Sequence, residues 1–139
     1  MSLPKLTTMA AAIAMLAAPA FAEQMMFTAD LTPGAEVPPT DSSGSGSADV
    51  TVDTDAMTVS WTTTVEGLTG DPVAAHMHGP AEEGENAPPV IDMSDNLMEG
   101  SADITEEQIG QLQDGLLYVN VHTAQYPDGE VRGQLKAAE

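Results

Sequence analysis

From Met57 to Val65 the chain alternates: Met57, Val59, Trp61, Thr63 and Val65 are separated by Thr58, Ser60, Thr62 and Thr64. A period of two is that of a β-strand, in which neighbouring side chains point to opposite faces, and it cannot form the 3.6-residue stripe of a helix. Such a strand buries one face and wets the other, so it requires partners that do the same. Val50 and Val52 precede it across Asp53-Thr54-Asp55-Ala56, which predicts a hairpin turn. Asp53 and Asp55 lack the remaining ligands of a calcium loop, so the pair is read as part of that turn. Further strands are predicted over Met26 to Leu31, Pro72 to His78, Pro89 to Met93, Ser101 to Ile104, Leu116 to Thr123 and Glu130 to Leu135, with Asp128-Gly129 turning the last two into a pair. Seven or eight short strands with frequent Gly and Pro turns imply an all-β sandwich or barrel. One short helix interrupts them: Thr105 is the N-cap and Gln108 the N3 partner of a capping box, Ile109 and Leu112 share a face, and Gly115 ends the segment.

The N-terminus belongs to a different physical class. Residues 1–22 carry one cation, Lys5, an apolar stretch from Met9 to Ala18, and the ending Ala20-Phe21-Ala22 before Glu23. This is the pattern of a cleaved secretory signal peptide, and it predicts a periplasmic or secreted protein whose residues 23–139 form one domain. No other segment approaches the ~20 apolar residues of a membrane span. Beyond residue 22 only Arg132 and Lys136 stand against 22 acidic residues. That imbalance repels nucleic acid and anionic membranes and attracts cations. The chain has no cysteine, which excludes disulfides, thiolate ligands and lipid attachment through cysteine.

All three histidines fall in two strand segments, His76 and His78 in one and His122 in the other. Alternation gives Val73, Ala75 and Met77 to the core and His76 and His78 to the opposite face. Likewise Leu117, Val119 and Val121 face the core, and Tyr118, Asn120 and His122 face away. In the following strand Val131 and Leu135 continue the core, while Glu130, Arg132 and Gln134 join the polar face. A polar cluster on one sheet surface is the expectation, with His76, His78 and His122 as metal ligands and Asn120, Glu130 and Arg132 around them. Three imidazoles without a thiolate favour Cu(II) on the affinity order, with Zn(II) as the alternative. A hydrogen-bonded structural histidine cluster remains the competing reading. For Arg132, a salt bridge to Glu130 or another nearby acid competes with capture of a carboxylate ligand.

Four segments, Glu36-Val37-Pro38-Pro39, Ala75-His76-Met77-His78-Gly79-Pro80, Gly115 to Thr123, and Pro127 to Leu135, resemble in order those of the CHRD domain, which is named from chordin and widespread in bacterial exported proteins. The resemblance covers roughly Met26 to Lys136 and implies an all-β, immunoglobulin-like or Greek-key sandwich. Its His-x-His on a β-sandwich also looks like the copper corner of copper/zinc superoxide dismutases. Three functions follow as expectations: a non-enzymatic metal protein for buffering or delivery, a protein-interaction or adhesion module with structural histidines, and a superoxide-dismutase-like redox enzyme. Three histidines are too few for the full copper/zinc site, and no nucleophile elbow or phosphate loop is present to suggest a hydrolase or nucleotide enzyme.

Overall fold

A computed structural model of the chain describes Ser2 and residues 23–138, so the expected signal peptide, apart from Ser2, lies outside the described residues. Among the described residues nine strands form two antiparallel sheets facing each other across one core, with one helix and two 3-10 turns between strands. Among the described residues no helix is long and apolar enough to cross a membrane.

The first sheet has the order β6-β3-β2-β1-β9, with β1 Gln24–Leu31, β2 Ser45–Asp53, β3 Thr58–Glu66, β6 Glu99–Asp103 and β9 Lys136–Ala137. The second has the order β5-β4-β7-β8, with β4 Ala74–His78, β5 Pro89–Asp92, β7 Tyr118–His122 and β8 Val131–Gln134. Alternation in β3 holds for Val59, Trp61 and Thr63, all buried, and these meet Phe27, Leu31, Val50 and Val52 from β1 and β2. Ala75, Met77, Leu117, Val119, Val121, Val131 and Leu135 supply the other half of the core, as the periodicity requires. The helix α1, Glu106–Gln113, starts at Thr105 with both halves of the capping box formed and buries Ile109 and Leu112.

Three sequence expectations need correction. Met57 is not a strand residue: it sits at φ +53° in the turn before β3, where Asp53 Oδ1 accepts from the N–H groups of Asp55 and Ala56. Val73 is not in the core but 58% exposed, because β4 begins only at Ala74 and alternation has no force outside the ladder. The strand expected over Glu130 to Leu135 spans only Val131–Gln134, and it is not the last. After Leu135 the chain crosses to the first sheet, where β9 pairs with β1.

The two sheets are joined where β8 passes β1. Thr32 and Arg132 exchange backbone hydrogen bonds of 2.9 and 3.0 Å there. The approach is so close that a Cβ at Gly133 would run into the carbonyl oxygen of Asp30. A Gly133→Ala variant is therefore expected to lose about 1–3 kcal/mol of stability by overpacking. Gly110→Ala, in α1 with no atom in the way, should gain about 0.5–1 kcal/mol from helix propensity. Urea unfolding of the two variants against the parent checks both signs.

Candidate metal centre

β4 and β7 are neighbours in register, with His76 opposite Asn120 and Ala74 opposite His122. That pairing brings the two histidine segments together on the face away from the core. One ligand nitrogen from each of His76, His78 and His122 lies within 4.8 Å of the other two. The rings pack edge to face, His76 against His78 at 5.5 Å and His76 against His122 at 5.0 Å between centroids.

Backbone carbonyls fix the tautomer of two of these rings. His78 Nδ1 lies 2.8 Å from the Ala87 carbonyl, and His122 Nδ1 lies 2.9 Å from the Pro127 carbonyl. A carbonyl only accepts, so each Nδ1 carries the proton and each Nε2 is a bare lone pair. His78 Nε2 is buried and has no hydrogen-bond partner among the described residues. His122 Nε2 lies 3.1 Å from His76 Nδ1. Ligating histidines have this arrangement, in which the second nitrogen donates to a carbonyl and the first is aimed at the ion. Burial lowers the pKa of all three histidines, outweighing Asp92 at His76 and the carbonyl partners at His78 and His122. The rings are thus held in the neutral form that can ligate.

This face is covered rather than open. His122 is only 8% exposed, and Tyr118, Asn120 and Arg132 are buried, whereas His76 and His78 are half-buried. The cover is the loop between β4 and β5. Arg132 Nη2 donates to the Glu85 carbonyl at 2.6 Å and Nη1 to Asn86 Oδ1 at 3.1 Å, while its guanidinium lies 3.5 Å from the Tyr118 ring centre. Tyr118 in turn lies parallel to His78 at 4.9 Å, and its hydroxyl meets the backbone of Ala87. Arg132 therefore pins the loop that carries His78's carbonyl partner.

The expected neighbours of the histidines divide accordingly. Asn120 adjoins His78 and also donates to the Asp128 carbonyl. Arg132 reaches the histidines only through Tyr118 and the loop. Glu130 does not join them, and it is not the salt-bridge partner of Arg132. It precedes β8, where alternation fails, and its carboxylate accepts from Ser42, Thr69 and Thr123. Burial opposes ionisation of Glu130, but these hydrogen bonds prevail and hold its pKa below the ordinary value.

Two residues escaped the sequence reading. Asp92 stands opposite His76 in the β4–β5 ladder, with its Oδ1 3.6 Å from His76 Nε2. Glu36, only 6% exposed, lies beside Asn120 under the turn at Gly129, whose φ of +122° and missing side chain let the carboxyl in. Burial pushes the Glu36 carboxyl up to about 7, against the positive charge of Arg132 and the Asn120 amide, and with help from Asp128. Its presence in the Glu-Val-Pro-Pro segment was the available signal. Nothing in the sequence gives the β4–β5 register that would have found Asp92.

The family model for the CHRD domain matches residues 27–135, which include both sheets apart from β9 and the first three residues of β1, the three histidines and Glu36. No curated protein and no solved structure matches the chain.

Glu36 makes the pH dependence of stability directional. Its folded pKa of about 7 lies above its ordinary 4.5, so the folded state holds the extra proton between those values and stability falls as pH rises through that window. Replacement by Gln removes this loss. The stability of Glu36→Gln relative to the parent should improve by about 1–2 kcal/mol between pH ~5 and ~8, measured by urea unfolding. A constant difference across that range would show that Glu36 does not titrate there.

Proposed function

The chain belongs to the CHRD domain family, and we propose that this member is an exported protein that holds one transition-metal ion between His76, His78 and His122, copper before zinc, for buffering or delivery. The observation that carries this reading is the pair of bare Nε2 lone pairs on His78 and His122, each created by a carbonyl behind the ring and one of them buried without a partner. A histidine cluster kept for structure alone would leave the His78 lone pair uncompensated in the interior, at a cost of about 1–3 kcal/mol for an unsatisfied buried group. A metal ion compensates it and takes the His122 lone pair as well.

The donor set supports the choice of metal. There is no cysteine to favour a thiolate site, and imidazole nitrogens bind Cu(II) more strongly than Zn(II) on the divalent affinity order. The two ligand nitrogens 3.1 Å apart suit a shared ion: at metal–nitrogen distances of about 2.05 Å they would subtend roughly 100°. For the whole set, spread within 4.8 Å, a square-planar copper geometry would ask for an inward shift of a fraction of an ångström, and a tetrahedral zinc geometry, with nitrogens about 3.3 Å apart, would ask for more. The strongly acidic composition favours accumulation of cations near the protein. The pattern of residues 1–22 supports delivery of the chain to the periplasm or the exterior.

Copper(II) and zinc(II) added separately to untagged protein should each bind at one ion per chain, with copper tighter. The His76→Ala/His78→Ala/His122→Ala variant should lose at least two orders of magnitude in affinity. Equal, weak binding by parent and variant would refute the site. Binding should weaken with falling pH as protons compete, but below the ordinary histidine value of 6.5, because all three pKa values are lowered. Copper binding without superoxide turnover agrees with buffering or delivery; turnover would make the protein an enzyme.

A further inference from the structure

His76 differs from the other two histidines in facing an acceptor at each nitrogen. Its Nδ1 lies 3.1 Å from the bare Nε2 of His122, and its Nε2 lies 3.6 Å from the Asp92 carboxylate. Both of these neighbours are acceptors, yet a neutral imidazole has one N–H. With the proton on Nδ1, the ring donates to His122 and turns a bare Nε2 toward a carboxylate. With the proton on Nε2, the ring turns its N–H toward the Asp92 carboxylate 3.6 Å away and leaves two nitrogen lone pairs facing each other at 3.1 Å. Neither neutral tautomer satisfies both sides.

A cation between His76 Nδ1 and His122 Nε2 resolves this conflict. We propose that Asp92 is a positioning residue of the metal centre: its carboxylate faces the Nε2–H of His76, which keeps that proton, and so commits the ring to ligate through Nδ1, while His78 and His122 ligate through Nε2. The inference rests on the metal-binding reading above. Without metal, the His76 proton sits on Nδ1 in the hydrogen bond to His122. When the ion arrives, that proton leaves Nδ1 and one is taken up on Nε2 by way of solvent, which reaches the half-buried ring. The ring is neutral before and after, so this step releases no net proton.

Asp92 is built into place for the role. It is the cross-strand partner of His76, its Oδ1 accepts from Ser94 N at 2.8 Å, and Ser94 Oγ in turn bonds the Ala75 carbonyl at 3.3 Å. The corner after β5 is therefore fastened to the strand that carries His76. The carboxylate itself is exposed, so its contribution belongs at the low end of what a group behind a ligand supplies, about tenfold in metal affinity.

Long-range ¹H–¹⁵N spectra of the imidazoles, recorded on untagged protein with and without zinc(II), read the tautomers directly. His76 should carry its proton on Nδ1 without metal and on Nε2 with zinc, while His78 and His122 keep theirs on Nδ1 throughout. Asp92→Ala should bind zinc about tenfold more weakly. Asp95→Ala, which removes the same charge from the adjacent turn, should bind it as the parent does. Zinc bound through His76 Nε2, or equal affinities for the Asp92→Ala and Asp95→Ala variants, would overturn the role of Asp92 while leaving the three-histidine site intact. Failure of the parent to bind zinc or copper at all would remove that site and this inference together.

Discussion

Every residue of β7 is buried, on both faces. One side contributes Val119 and Val121 to the apolar core, and the other places Tyr118, Asn120 and His122 beneath a second layer of chain. An apolar face gains simply by leaving water, but a polar face does so only if each donor and acceptor finds a partner. The surroundings of β7 answer most of that requirement, with Asn120 Oδ1 left without a partner among the described residues. The β4–β5 loop provides the carbonyl of Ala87, which accepts from the Tyr118 hydroxyl, the turn before β8 provides those of Pro127 and Asp128, and the segment after β1 brings Glu36. Irregular backbone is what a buried polar strand needs, because its carbonyls are not already committed to a ladder.

Charge is distributed in the same economical way. Although the chain is strongly acidic, the cation nearest the site, Arg132, is buried against carbonyls, an amide oxygen and an aromatic ring. Planar stacking on Tyr118 together with forked donation to the loop is a task for a guanidinium, which an ammonium could not perform equally. Glu36 and Glu130 show how environment separates two carboxyls of one chain. Glu130, supplied with hydroxyl donors, stays ionised, and Glu36, left with one unpartnered oxygen, holds its proton to near neutrality.

Periodicity reached as far as ladders extend. It assigned Ala75, Met77, Val119, Val121 and Val131 to the core correctly, and it put His76, His78, Asn120 and His122 on the other face, because within β4, β7 and β8 the pleat leaves no freedom; Leu117 and Leu135, next to β7 and β8, also reach the core. It failed at Met57, Val73 and Glu130, each one residue outside a strand, where backbone angles rather than the pleat aim the side chain. The capping box of α1 was legible because all its partners lie within four residues of one another. The burial of the histidine face, the carbonyls behind the rings and the place of Asp92 were not legible, since they depend on strand register and on where a loop settles.

The crossing from β8 to β9 has an architectural consequence. Phe27 of β1 pairs with Ala137, and the Ala138 N–H donates to the Met26 carbonyl at 2.9 Å. The first and last strands among the described residues thus lie side by side, β9 at the edge and β1 next to it, in the sheet that does not carry the histidines. A fold wired this way can be spliced into a longer polypeptide, or tethered from either end, much as a plug-in cassette. Its first and last strands would be the attachment points, and the imidazole-bearing sheet would remain separate from the splice.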